Sequence, residues 1–87
     1  MITIVYGKSF LKSAGRLPSS QQKKLADLIP VLQKNPFHPS LRVKIVQGTK
    51  NILEMSVNMN YRITFEFLEG DGVFLRKIGT HNMLRNP

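Results

Sequence analysis

The sequence predicts an α+β domain with the element order β-α-α-β-β-β-β: an N-terminal strand, a two-helix hairpin and an antiparallel β-meander. Two observations predict this fold. Apolar residues at helical spacing are grouped between residues 9 and 35, and strand-like segments are grouped between residues 41 and 78. Separate blocks of helices and strands are typical of helices packed on one face of an antiparallel sheet. With 87 residues and 41% hydrophobic content, residues 1–87 are expected to form one domain.

The segment 1–6 predicts a short strand, because residues 2–5 are all β-branched. Gly7 ends this strand. A first helix is expected from Ser9, which suits an N-cap position, and it ends at Gly15 and Pro18. Its apolar residues, which recur at helical spacing, are Phe10, Ala14 and Leu17.

The second helix is expected to begin at Ser19, since Ser19 and Gln22 have the spacing of a capping box. Pro30 lacks a backbone N–H and costs about 3 kcal/mol or more inside a helix, so we expect a kink or a break there. The helical region ends at Asn35. Its buried stripe is formed by Leu25, Leu28, Ile29 and Leu32.

Four further strands are predicted over residues 41–46, 52–57, 61–68 and 73–78, followed by a tail over residues 79–87. The strand 61–68 alternates most regularly and is expected to bury the most apolar area per residue. Its apolar positions are Tyr61, Ile63, Phe65 and Phe67, and the polar positions on its solvent face are Arg62, Thr64 and Glu66.

The turns predict how the strands pair. A three-residue turn at 58–60 and a four-residue turn at 69–72 give the pairs Ser56–Arg62, Glu54–Thr64, Leu68–Val73, Thr64–Lys77 and Arg62–Gly79. In this register Arg76 points towards the core. Four polar side chains are expected to converge on the solvent face at the end of the sheet: Glu54, Arg62, Lys77 and His81.

The net charge of +8, from 13 Lys and Arg against 5 Asp and Glu, favours a polyanionic partner such as nucleic acid or an acidic protein. The sequence contains no cysteine, which excludes disulfides and a thiolate nucleophile and suits the cytoplasm. It has no apolar run long enough to span a membrane. Its N-terminus lacks the basic, long apolar pattern of a signal peptide.

The four converging residues suit RNA cleavage, in which a 2′-hydroxyl loses a proton, the phosphate gains charge and the leaving oxygen gains a proton. Arg62 and Lys77 can stabilise the developing charge. His81 carries an imidazole, which exchanges protons near neutral pH and can act as general acid or base. Glu54 can take the other proton-transfer role or orient Arg62.

Simpler interpretations remain open. Glu54 and Arg62 can form a surface ion pair worth less than about 1 kcal/mol, and His81 can be an ordinary polar residue. His38 lies between prolines and is interpreted as structural. No metal site is expected, because the two histidines are far apart and lack Asp or Cys partners.

Two segments together resemble the RelE/ParE superfamily of bacterial type II toxins, and most closely its RelE- and YafQ-like mRNA interferases. These are the strand Tyr61-Arg62-Ile63-Thr64-Phe65 and the tail Ile78-Gly79-Thr80-His81-Asn82-Met83-Leu84-Arg85. The resemblance implies a RelE-like fold and a ribosome-dependent endoribonuclease that inhibits translation. It also implies a monomeric toxin held in a complex by a cognate antitoxin, which the charge predicts to be acidic. Arg62 would stabilise the phosphate and His81 would be the acid or base, without a cofactor.

The resemblance leaves two alternatives. Some ribosome-dependent members carry lysines where this chain has Leu53, Glu54 and Met55, which leaves open a non-catalytic RNA- or antitoxin-binding relative. The ParE branch, which inhibits DNA gyrase by binding, shares the scaffold. If the chain binds RNA, the cations expected to contact phosphates are Lys44, Lys50 and Arg85.

Overall fold

The computed structural model describes residues 2–87 and confirms the α+β class. The element order is β1 (Thr3–Tyr6), α1 (Lys8–Gly15), α2 (Ser19–Lys34), β2 (Lys44–Ile45), β3 (Leu53–Ser56), β4 (Arg62–Leu68) and β5 (Gly72–Gly79). Two short 3₁₀ helices, Pro39–Leu41 and His81–Arg85, precede β2 and follow β5. Met1, which belongs to the predicted first strand, lies outside the described residues.

The five strands form one sheet in the order β1-β5-β4-β3-β2. β2 to β5 pair antiparallel as predicted, but β1 runs parallel to β5, so the sheet is mixed. Turn sequences determine how neighbouring strands of a meander pair. They carry no information about β1, whose partner is the last strand of the chain.

The two helices cover one face of the sheet. Phe10 of α1 and Leu32 of α2 are buried in one cluster with Ile63, Phe65 and Leu75 of the sheet. Ile63 and Phe65 therefore face the core, as predicted for β4.

Phe67, at the far end of β4, departs from that prediction because it is 42% exposed. Its ring lies instead 5.4 Å from the ring of Phe37, in the loop that follows α2. The end of β4 thus lies beyond the cover of the helices.

The second helix begins at Ser19 as predicted, but neither helix is capped as the sequence predicted. α1 begins at Lys8 with Gly7 as N-cap, and α2 begins at Ser19 after Pro18, without a side-chain cap in either case. The predicted N-cap role of Ser9 and the capping box of Ser19 are therefore wrong. The amide of Gln22 instead donates to the carbonyl of Leu17 at 3.2 Å, in the link between the helices.

Pro30 does not break α2, which is one continuous helix from Ser19 to Lys34. Leu28 and Leu32, on either side of Pro30 in the helix, are both buried in the core. Burial of these residues offsets the missing backbone hydrogen bond, so tertiary packing overrides the local preference.

The second predicted strand is shorter than expected, because residues 39–41 form a 3₁₀ helix and only Lys44–Ile45 pair with β3. The ring Nδ1 of His38 accepts a hydrogen bond from the N–H of Ser40 at 3.1 Å and so caps this helix. Arg42 then adopts a left-handed conformation, with φ of 51°. The capped turn and the left-handed residue together prevent an extended strand from starting at residue 41.

The register of β3 and β4 agrees with the prediction, with Ser56 opposite Arg62 and Glu54 opposite Thr64. Between β4 and β5 the prediction is right only at the end near Arg62, where Thr64 pairs with Lys77 and Arg62 with Gly79. Near the turn, Leu68 pairs with Gly72 rather than Val73.

A β-bulge separates these two parts of the hairpin. The loop contains three residues rather than four, with Gly70 at φ of 76°, and Arg76 is the extra residue in β5 between the partners of Thr64 and Phe65. A bulge redirects the side chain at the extra position. Arg76 therefore does not face the core as predicted, and its guanidinium binds the carboxylate of Glu66 at 2.6 Å.

The other face of the sheet is partly covered by the chain's own C-terminal segment. The hydroxyl of Thr64 donates to the carbonyl of Pro87 at 3.0 Å and is fully buried. Nε of Arg76 donates to the same carbonyl at 3.2 Å. The prediction of a wholly solvent-exposed face is therefore wrong at its centre.

Candidate functional site

The centre of the candidate site is an ion pair between β3 and β4. Nε of Arg62 lies 3.3 Å from Oε1 of Glu54, and these residues are diagonal neighbours in the sheet. Glu54 is only 4% exposed, so the pair is not the surface ion pair considered from the sequence. A buried carboxylate with a fixed partner holds the guanidinium in one position.

The turn before β4 fixes Arg62 from its other side. Nη1 of Arg62 donates to the carbonyl of Asn58 at 3.0 Å. The side-chain oxygen of Asn58 accepts from the N–H groups of Asn60 and Tyr61, and its amide donates to Gln21 of α2 at 2.6 Å. Asn58 thus ties the turn, the second helix and Arg62 together.

Asn58 was predicted only as part of a turn, and its link to Arg62 was missed. The available signal was its position at the start of a short hairpin turn. There an Asn side chain can hydrogen-bond the backbone two or three residues further on.

A cleft of about 610 Å³ borders the ion pair, and we call it the His81 cleft. Its polar lining residues are Lys44, Gln47, Glu54, His81, Asn82 and Arg85. It brings together two predicted catalytic residues, Glu54 and His81, with two predicted RNA-binding residues, Lys44 and Arg85. Gln47 and Asn82 are additional polar groups in the lining, and nothing in the sequence pattern singled them out.

A second pocket, of about 430 Å³, lies on the Arg62 side of the ion pair, and we call it the Arg42 pocket. Its lining residues include Ser40, Arg42, Ser56, Asn58 and Arg62. Glu54 lines the His81 cleft and Arg62 lines the Arg42 pocket, so the ion pair lies at the boundary between the two.

Two predicted cations lie elsewhere. Lys77 borders a different groove beside Lys8 and Pro87, and its ammonium group donates to the carbonyl of Asn86 at 2.7 Å. Lys50 lines a shallow pocket with Phe67 at the other end of the sheet. Lys77 and His81 therefore do not share a cleft, and Lys50 lies apart from both.

The arrangement offers an imidazole, a buried carboxylate and two cations, Lys44 and Arg85, around one cleft. Within residues 2–87, no three side chains among His, Asp and Glu are grouped closely enough to hold a metal ion. None of the helices described over this range is long and apolar enough to cross a membrane. The groups present are suited to binding an anion and to moving protons.

No protein-family model matches the sequence, and no curated protein matches it. Solved structures do match. YafQ from E. coli superimposes with a TM-score of 0.76 at 18% identity, covering 97% of this chain and 98% of that chain. The toxin–antitoxin complex RelBE2 from Mycobacterium tuberculosis gives a TM-score of 0.75 at 13% identity, covering 92% and 98%. The RelB–RelE antitoxin–toxin complex from Methanococcus jannaschii gives 0.73 at 21% identity, covering 94% and 95%.

These similarities extend over nearly the full length of each chain. At such identities they establish the shape of the backbone and leave the chemistry to the side chains described above. The chain therefore has the fold of the RelE/ParE superfamily of toxins.

Proposed function

We propose that this protein is the toxin of a bacterial type II toxin–antitoxin pair and acts in the cytoplasm as an endoribonuclease that cleaves messenger RNA on the ribosome. The observation that carries this proposal is the Glu54–Arg62 pair beside His81. Glu54 both holds Arg62 at 3.3 Å and lines the cleft that contains His81. A fixed guanidinium and a proton-transfer group at adjoining pockets are groups that phosphoryl chemistry can use.

In the proposed reaction the protein supplies only side-chain groups. Arg62 stabilises the charge that develops on the phosphate, and His81 transfers a proton to or from the RNA. Glu54 is already in contact with Arg62 and is mostly buried, so we assign it the role of orienting that guanidinium. Lys77 contributes its charge only if its ammonium group exchanges the Asn86 carbonyl for a phosphate oxygen.

The RNA would be held by cations around the His81 cleft. Lys44 and Arg85 line this cleft and are exposed, whereas Lys50 lies further along the sheet. We therefore propose that Lys44 and Arg85 contact phosphates near the cleavage site and that Lys50 contacts a more distant segment of RNA or ribosome. Each lost phosphate contact should reduce the salt slope of binding by about 0.7 to 1.

An acidic antitoxin is the proposed protein partner. Two of the similar structures were solved as toxin–antitoxin complexes. The net charge of +8 would speed association with an acidic chain. The association rate should fall as the salt concentration rises, and a rate independent of salt would contradict an acidic partner.

The proposed function is tested by single-turnover cleavage of messenger RNA on programmed ribosomes. His81→Gln should slow cleavage by roughly 10²- to 10⁴-fold without loss of fold or ribosome binding. His38→Gln is the matched control, because His38 lies in neither cleft and caps a 3₁₀ helix.

Two outcomes would contradict the proposal. If His81→Gln cleaves at the wild-type rate, His81 is not the acid or base. If the wild-type protein arrests growth without producing new RNA ends, a toxin that acts by binding alone, such as a gyrase inhibitor, becomes the better description.

A further inference from the structure

The Arg42 pocket has a lining unlike that of the His81 cleft. Two arginines, Arg42 and Arg62, border it from different segments of the chain, and Ser56 adds a hydroxyl group. Among its lining residues there is no Asp or Glu, whereas Glu54 lines the His81 cleft. Arg62 is paired with Glu54 behind the pocket, so the positive charge that no carboxylate offsets is that of Arg42.

The donors in this pocket are not all occupied by the protein. Arg62 uses Nε with Glu54 and Nη1 with Asn58, which leaves Nη2 without a hydrogen bond or ion pair among the described residues. Within residues 2–87, the guanidinium of Arg42 and the hydroxyl of Ser56 likewise make neither kind of contact. A bound anion would satisfy these donors.

The backbone holds Arg42 at the pocket in an uncommon conformation. Arg42 has φ of 51° and ψ of 50°, and it is the one non-glycine residue between 2 and 87 with positive φ. Its N–H donates to the carbonyl of Pro39 at 3.2 Å, at the end of the 3₁₀ helix that His38 caps. A strained residue held by a closed turn points to a functional requirement for the position of its side chain.

We propose that the Arg42 pocket binds a second phosphate group of the RNA strand, next to the one held at the His81 cleft. Guanidinium groups bind phosphate oxygens in a planar, bidentate geometry, and two of them with a hydroxyl group form a suitable site. Arg62 lies at the boundary of the two pockets, so its remaining N–H groups would contact both this phosphate and the reacting one. The identity of the anion as RNA rests on the proposed function, whereas phosphate binding itself does not require cleavage.

The binding test uses inorganic phosphate and thymidine 3′,5′-bisphosphate, which has no 2′-hydroxyl and cannot be cleaved. Titration followed by backbone amide NMR should give saturable shifts at Arg42, Ser56 and Asn58. Arg42→Asn should weaken binding of the bisphosphate about tenfold, since one charge-assisted contact is lost. Asn is chosen because it tolerates the left-handed conformation, so this variant should fold.

Arg16→Asn is the matched control. Arg16 lies at the end of α1, is exposed and lines none of the pockets described above, and the substitution removes the same charge. The affinity of Arg16→Asn for the bisphosphate should change less than about twofold, because a distant charge is screened by salt. Equal weakening in both variants, or no saturable shift in the wild-type protein, would overturn the proposed phosphate site.

Cleavage assays separate this inference from the proposed function. If Arg42→Asn raises KM for RNA and leaves kcat unchanged, the second phosphate site is supported. If Arg42→Asn cleaves RNA with the same KM as the wild-type protein, the phosphate site is refuted and the nuclease stands. If His81→Gln and wild-type protein bind the bisphosphate equally but neither cleaves RNA, the phosphate site stands and the nuclease is refuted.

Discussion

The hydroxyl of Ser13 on α1 accepts a hydrogen bond from the backbone N–H of Ile78 on β5, at 3.1 Å. The same hydroxyl donates to the carbonyl of Ser9 at 2.9 Å. It therefore connects the first helix to the strand that leads into His81, at a point where Ile78 has only 3% exposure.

Ser13→Ala should lower the free energy of unfolding by about 1 kcal/mol, because it leaves the N–H of Ile78 buried without a partner. The gain in helix propensity offsets part of the larger desolvation cost. Urea denaturation measures the change. Ser20→Ala, on the exposed first turn of α2, is the control and should stay within about 0.5 kcal/mol of wild type.

The Glu54–Arg62 pair should show clear energetic coupling. Glu54→Gln and Arg62→Gln should each destabilise the protein by about 1 to 3 kcal/mol, since each leaves a mostly buried partner without its opposite charge. The double variant should be less destabilised than the sum of the two, with a coupling energy above about 0.5 kcal/mol. Additive effects in a double-mutant cycle would show that the two charges do not interact.

This coupling affects how toxicity assays are interpreted. Arg62→Ala should abolish growth arrest, yet it also leaves the Glu54 carboxylate buried and alone. Folding of the variant therefore has to be verified by circular dichroism and urea denaturation. Full toxicity of a folded Arg62→Ala protein would exclude this residue from the mechanism.

Gly7 and Gly15 provide a matched pair at the two ends of α1. A Cβ at Gly7 would lie 2.7 Å from the carbonyl oxygen of Leu75 and 2.8 Å from the ring of Phe74, whereas nothing lies within 4 Å of one at Gly15. Gly7→Ala should therefore destabilise the protein by about 1 to 3 kcal/mol through overpacking. Gly15→Ala should stabilise it by about 0.5 to 1 kcal/mol. Thermal unfolding of both variants checks the contrast, and equal effects would contradict the close contact at Gly7.

Asn58 should influence catalysis through Arg62 rather than directly. Asn58→Ala removes the side chain that closes the turn and contacts Gln21, so the carbonyl that holds Arg62 becomes less fixed. We expect kcat to fall about tenfold with little change in KM, since a misplaced guanidinium stabilises the transition state less well. Asn51→Ala, in the exposed turn before β3, is the control and should cleave normally. A raised KM with unchanged kcat would instead indicate direct substrate contact.

The sequence predicted the part of the site that depends on local rules. The turn at 58–60 defined the pairing of β3 with β4, so the contact of Glu54 with Arg62 followed from alternation alone. The position of Lys77 opposite Thr64 was also predicted correctly. This agreement arose because a shorter turn and an extra residue at Arg76 compensate each other.

The predictions that were wrong concern residues whose positions depend on contacts distant in sequence. Arg76 and Lys77 are both cations, so their order gives no sign of which one occupies a bulge. Thr64 is polar and was expected to face water, but the carbonyl of Pro87 satisfies its hydroxyl and the tail covers it. The ammonium group of Lys77 likewise donates to a carbonyl of this tail, that of Asn86. Residue periodicity within β4 cannot reveal a segment that packs on it from the end of the chain.

The parallel pairing of β1 with β5 also affects how the protein is made. β1 is synthesised before its partner β5 (Gly72–Gly79), so the sheet stays incomplete until β5 has been made. Phe10 and Leu32, on the two helices, likewise lack Leu75 as a packing partner until then. Contacts so far apart in sequence form late in folding. A nascent chain therefore gains its native sheet only after β5 has been synthesised, and a chain interrupted before β5 would lack it.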